Sequence, residues 1–171
     1  MEPGRIIFLN GVTSSGKTSI VDALQERRGT FFYVVANDLF EQMIGERYLR
    51  EDYWRHLSDA VWMMYRTARL FSQCGKNVLI DGILVERPEL APHYARMREM
   101  LADCPLDVVH VDCDLEVCRR RSLARGDRYE GQSQEQAALM ARNIDYSCRV
   151  DTALESPQQC AERIARALRF A

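Results

Sequence analysis

The residues Gly11-Val12-Thr13-Ser14-Ser15-Gly16-Lys17-Thr18 carry the spacing G-x-x-x-x-G-K-[ST]. The glycines let the backbone curl so that successive N–H groups face inward. Together with the positive end of a following helix, those amides cradle a polyphosphate. Lys17 is then placed to reach the β- and γ-phosphates of a nucleotide, and the Thr18 hydroxyl to supply an oxygen for Mg2+. With glycine near about 7% of residues, the four fixed positions arise by chance in only about one window in 10⁴–10⁵. Of 23 basic residues only Lys17 and Lys76 are lysines, and one of the two sits here. The expected nucleotide-binding set is Gly11, Val12, Thr13, Ser14, Ser15, Gly16, Lys17, Thr18 and the adjoining Ser19.

Three further groups bear on phosphate chemistry. Asp81 closes the run Val78-Leu79-Ile80, a hydrophobic strand ending in an acid, and is expected with Thr18 to hold Mg2+ directly or through water. Asp38 follows another strand-like run and can take a proton from a hydroxyl as that oxygen attacks a phosphorus. The stretch Asp38-Leu39-Phe40-Glu41 reads equally well as a helix capping box. Arg125 and Arg128 flank Gly126 in the polar segment 124–133, where a closing lid brings cations over the transferred group. Arg119-Arg120-Arg121 reads as charge favouring a helix C-terminus, and Asp112 and Asp114 as structural, Asp114 as an N-cap.

These residues need a scaffold, and the chain supplies strands alternating with helices. Apolar runs at 5–10, 30–36, 77–81, 107–112 and 148–152 read as strands. Helices are expected over 17–28, 39–47, 53–74, 89–103, 115–124, 133–146 and from Ser156 to about Arg169. Gly75 stands where a helix ends, and Ser133 and Ser156 each open an S-x-x-Q capping box. The alternation predicts an α/β three-layer sandwich, a five-stranded parallel sheet with helices on both faces, whose ligand lies at the carboxyl ends of the strands. At 171 residues it is expected to form one domain, with a lid at about 124–133.

Composition narrows the function classes. Apolar residues at 47% and charged residues at 28% match a globular chain and exclude disorder. A formal charge of −2 offers no case for nucleic acid or anionic membrane as partner. No apolar run approaches 18 residues, and no secretory leader is read at the N-terminus. The six cysteines form no C-x-x-C pair, so a reducing cytoplasm and free thiols are expected. The three histidines lie far apart and read as filler, not as metal ligands. No G-x-G-x-x-G follows a strand, which disfavours a dinucleotide fold, and Lys76-Asn77-Val78 lacks the guanine-reading N/T-K-x-D pattern.

From the second strand onward, before the third, come Phe31, Phe32, Tyr33, Phe40, Tyr48, Tyr53, Trp54, Trp62 and Tyr65. Most are expected in the core, but the region is also where an apolar or aromatic hydroxyl acceptor would sit, with Met43, Met63 and Met64 adding adaptable surface. Arg47, Arg50, Arg55, Arg66 and Arg69 lie in the same region and are the cations an anionic acceptor such as a nucleotide would want.

The chain resembles the chloramphenicol 3-O-phosphotransferase family of small P-loop kinases. The likeness is carried by Ile6–Thr18, by Asp38, by Ile80-Asp81 and by Arg125-Gly126-Asp127-Arg128. Val150-Asp151-Thr152 is similar to a family segment placed near the adenine. The likeness is colinear except between Phe40 and Gly75 and between Gly82 and Pro105, the stretches expected to build the acceptor pocket. It implies a nucleoside-kinase-like P-loop NTPase fold and an ATP-dependent small-molecule O-phosphotransferase that uses Mg2+. Asp38 is implied as catalytic base, and Lys17, Arg125 and Arg128 as the catalytic cations. Two alternatives stay open: a kinase of a central metabolite or nucleotide, of shikimate, gluconate or nucleoside monophosphate type, and an ATP-binding regulator without transferase activity.

Overall fold

A computed structural model describes residues 2–126 and 131–170. Five strands form one wholly parallel sheet: β1 (Ile6–Asn10), β2 (Tyr33–Ala36), β3 (Val78–Gly82), β4 (Leu106–Asp112) and β5 (Cys148–Asp151), in the order β2-β3-β1-β4-β5. The helices are α1 (Lys17–Glu26), α2 (Asn37–Glu41), α3 (Glu46–Gln73), α4 (His93–Met100), α5 (Leu115–Arg125), α6 (Gln132–Leu139) and α7 (Pro157–Leu168).

Side chains of β1 alternate between two cores, as the two-residue repeat of a strand demands. Ile6 and Phe8 pack with Ile80 and with Val61, Tyr65 and Ala68 of α3. Ile7 and Leu9 pack with Leu79 and with Ile20 and Leu24 of α1 and Ile164 of α7. Because both faces are covered, β1 is buried along its whole length and reads as an unbroken apolar run. The sheet, with α3 and α4 on one side and α1 and α7 on the other, makes the three-layer sandwich.

Several boundaries differ from the sequence expectation, each for a local reason. The second strand begins at Tyr33, not Thr30, because its neighbour β3 starts at Val78, the partner of Tyr33. The helix expected from Leu39 to Arg47 is the short α2, and α3 starts anew after Gly45 and is kinked at Asp52 (φ −155°, ψ 80°). The helix expected from Glu89 starts only at His93. Pro92 precedes it, and a proline keeps the residue before it out of the helical region. The helix expected to run to Tyr146 stops at Leu139, where Met140 pairs with Val85 in an antiparallel bridge. Ser133 is not its cap, since Gly131 (φ 90°) opens that helix. At α7 the capping box is complete: Gln159 N–H donates to Ser156 Oγ at 3.2 Å and Ser156 N–H to Gln159 Oε1 at 2.8 Å. Asp114 caps α5 by accepting from Glu116 N–H at 2.9 Å.

Candidate active site

The phosphate loop leaves β1 at Asn10 and enters α1 at Lys17. Ser14 (φ 62°) and Gly16 (φ 89°) adopt the left-handed conformation, which turns the chain through the tight curl. A side chain at Gly11 would strike Val111 O at 2.5 Å, so the loop also needs glycine at its entry. Lys17 Nζ donates to Gly11 O at 2.8 Å and Val12 O at 2.9 Å and lies 3.9 Å from Asp81 Oδ1.

The loop opens on a cavity of about 490 Å³. Gly11, Thr13, Ser14, Gly16, Lys17, Thr18 and Ser19 line it, together with Asp38, Asp81 and Arg125. Val12 and Ser15 do not line it: Val12 packs with Cys113 and Cys118, and Ser15 is buried. Parallel pairing explains how Asp38 and Asp81 come to line one cavity. Ala36 pairs with Asp81, so the chain leaving β2 delivers Asp38 to the strand end that carries Asp81. Asp38 lies in the first turn of α2, whose cap is Ala36 with no side-chain cap hydrogen bond, so the capping-box reading of Asp38 does not hold. Arg125, at the end of α5, donates from Nη2 to Ser14 Oγ at 2.8 Å. Thr13 N–H donates to Gln136 Oε1 of α6 at 2.6 Å, so both α5 and α6 touch the loop. Arg128 lies outside the described residues.

The donor set suits a magnesium nucleotide. Thr18 Oγ1 donates to Asp81 Oδ2 at 2.8 Å, so a hydroxyl and a carboxylate, both hard oxygen ligands, stand side by side at the loop. Ser15 Oγ is buried and has no hydrogen-bond partner, an orphaned polar atom inside the loop. Among the described residues no group of three or more His, Cys, Asp and Glu gathers as a metal cage.

Much of the rest of the wall comes from α3 and from the segment after β3, joined by Val34 and Leu39 near β2 and by Glu135 and Leu139 of α6. Helix α3 brings Tyr53, Trp54, Leu57 and Val61, and the segment after β3 brings Val85, Arg87, Leu90 and His93. Tyr53 and Trp54 therefore face the cavity, whereas Trp62, Tyr65 and Phe32 belong to the core. Met43, Met63 and Met64 do not line it: the first two are exposed and Met64 is buried. Nor does any of Arg47, Arg50, Arg55, Arg66 and Arg69; Arg47, Arg50 and Arg69 pair instead with Glu51, Glu46 and Asp103. On this wall the cavity is lined instead by Arg87, stacked 3.5 Å over the Trp54 ring and ion-paired with Glu89 and Glu135.

His93 and Arg87 carry no motif, and their sequence context gives no signal for either. His93 is fully buried, and Tyr65 Oη lies 2.7 Å from its Nε2. With the proton on Nδ1, that nitrogen donates to Val85 O at 3.1 Å and Nε2 accepts from Tyr65. Burial pushes the His93 pKa down to about 4, and Arg96 acts in the same direction. The imidazole is thus neutral at pH 7 and pins Val85 at the cavity wall. Arg121 departs from the helix-end reading of its triplet. It crosses to the turn after β5, while Arg119 pairs with Glu116.

The parallel order β2-β3-β1-β4-β5, with a phosphate-binding loop after β1, defines a P-loop kinase fold. Solved structures agree. APS kinase of Mycobacterium tuberculosis, in complex with AMPPNP and APS, aligns with a TM-score of 0.72 at 20% identity over 99% of each chain. Shikimate kinase of Acinetobacter baumannii, in complex with shikimate, aligns at 0.69 and 17% identity over 98% of this chain and 93% of that one. The chain belongs to the chloramphenicol phosphotransferase-like protein family, whose model matches residues 4–169. A curated relative from Mycobacterium tuberculosis, named "Putative O-phosphotransferase", is 27% identical over 188 residues, covering 96% of this chain and 82% of the relative. No described helix is long and apolar enough to cross a membrane.

Proposed function

We propose that the protein is an ATP-dependent small-molecule O-phosphotransferase that moves the γ-phosphate to a hydroxyl of an apolar-bodied alcohol, of the hydroxylated antibiotic type that the family's name suggests. The observation that carries this is the shared cavity: Asp38 lines the same space as the phosphate loop, Thr18 and Asp81.

In this reading the loop amides and Lys17 hold the phosphates, and Arg125 and Arg128 neutralise charge on the transferred group. Asp38 orients the acceptor hydroxyl and takes its proton as the O–P bond forms. Mg2+, when bound through Thr18 and Asp81, supplies electrostatic neutralisation of the phosphates. Residues 1–171 act as one catalytic domain with its lid at about 124–133, working in the cytoplasm where ATP is abundant.

Charge supports an uncharged or cationic acceptor over an anionic metabolite or nucleotide. Asp38, Glu41 and Glu135 line the cavity, and Arg87 on that wall is already paired with Glu89 and Glu135. The test is incubation with MgATP and a panel of neutral, cationic and anionic hydroxyl compounds, with Lys17→Ala as control. Transfer to a neutral or cationic alcohol, lost in the control, supports the reading. ATP binding with no phosphorylated product from any acceptor turns it toward a regulatory binder.

A further inference from the structure

The turn after β5 grips the phosphate loop from behind. Thr152 is 8% exposed, and its Oγ1 donates to Ser15 O at 2.6 Å. The same oxygen accepts from Arg121 Nη1 at 3.0 Å, and Arg121 Nη2 donates to Thr152 O at 2.8 Å. Thr152 N–H donates in turn to Asp112 O at 3.0 Å, which ties the turn to the end of β4. Neither Thr152 nor Arg121 lines the cavity, so whatever they do for a ligand passes through the loop.

A planar trans peptide holds its C=O and the following N–H on opposite sides. With the Ser15 carbonyl drawn back toward Thr152, the N–H of that same peptide, which belongs to Gly16, faces the other way, and Gly16 lines the cavity. Glycine at φ 89° tolerates many backbone orientations, so Gly16 does not fix this plane by its own sterics. A side chain at Gly16 would meet Thr152 at 3.3–3.4 Å, which shows how closely the turn abuts the peptide it holds.

We propose that Thr152, braced by Arg121, is a positioning residue that fixes the Ser15–Gly16 peptide so that the Gly16 amide is aimed at the nucleotide's phosphates. The inference rests on the reading of the loop as a nucleotide site. Thr152→Val keeps the shape and removes the hydroxyl, Thr152→Ser keeps the hydroxyl, and Arg121→Met removes the brace from a half-buried position.

The experiment is titration of the full chain with MgATP and, separately, with phosphate-free adenosine, alongside thermal melting. Thr152→Val is expected to weaken ATP about tenfold, the worth of one hydrogen bond. Adenosine affinity stays at the wild-type value, Thr152→Ser restores ATP affinity, and Arg121→Met shifts it the same way as Thr152→Val. Wild-type ATP affinity in Thr152→Val or Arg121→Met overturns the inference. So does an equal loss of adenosine, or failure of Thr152→Ser to restore. If Thr152→Val does not fold, Arg121→Met decides by the same criteria. A wild-type chain that binds no ATP sinks the nucleotide reading and this inference with it, whereas a wild type that binds beside an unaffected Thr152→Val sinks this inference alone.

Discussion

The Thr18 hydroxyl and the Asp81 carboxylate meet at 2.8 Å, joining the first turn of α1 to the end of β3. One oxygen comes from the motif and the other from a strand more than 60 residues away, and only sheet pairing brings them together. Asp81→Asn keeps the shape but removes the charge. It is expected to raise the Mg2+ concentration needed for tight ATP binding by about 10–100-fold, the usual cost of a lost supporting carboxylate. A Mg2+ titration of nucleotide affinity reads this directly, and an unchanged midpoint would remove Asp81 from the metal's surroundings.

Asp38 offers a cleaner separation of chemistry from binding. Asp38→Asn is expected to lower kcat by about 10²–10⁴-fold, the typical worth of a positioned general base. MgATP affinity should not move, because the loop is untouched. A variant with full transferase activity would leave Asp38 a bystander on the wall.

Trp54 and Arg87 form a stacked pair on the cavity wall, where the proposed acceptor would sit. Trp54→Ala removes the aromatic face and frees Arg87 from its stack. The acceptor KM is expected to rise about tenfold with the ATP KM unchanged, which marks a loss of uniform substrate binding. Equal rises in both constants would mean that the variant has disturbed the fold rather than the acceptor site.

His93 makes stability depend on pH in a defined window. Its folded pKa of about 4 lies below the ordinary value of 6.5. Between those values the unfolded chain binds the proton and the folded chain does not. Stability therefore holds above about pH 6.5 and falls as the pH drops toward 4, by on the order of 3 kcal/mol at most. Denaturation curves for the wild type and His93→Gln at pH 7.5, 6, 5 and 4 test this. The wild type should lose stability more steeply across the window, and parallel pH profiles would exclude His93 as the cause.

How much of this was written in the chain differs from residue to residue. The loop from Gly11 to Thr18 was legible because its geometry is local: glycine positions, a strand before and a helix after. The caps at Asp114 and Ser156 were legible for the same reason, since each bond spans two or three residues. The alternation of strands and helices also gave the three-layer sheet, because strands covered on both faces must be apolar throughout.

Tertiary contact decided the rest. Arg121 looked like helix-end charge until β5 brought Thr152 beside it, 31 residues on. His93 gave no signal in the sequence; burial against Tyr65, 28 residues earlier, and Val85, eight residues earlier, makes it a strut of the wall. The helix expected to reach Tyr146 ended early because Val85 claimed Met140 for a bridge. The aromatic wall of the cavity arises where α3 and the segment after β3 converge. A sequence records what neighbours along the chain can do for one another, and burial and pairing between distant segments exist only once the chain has folded.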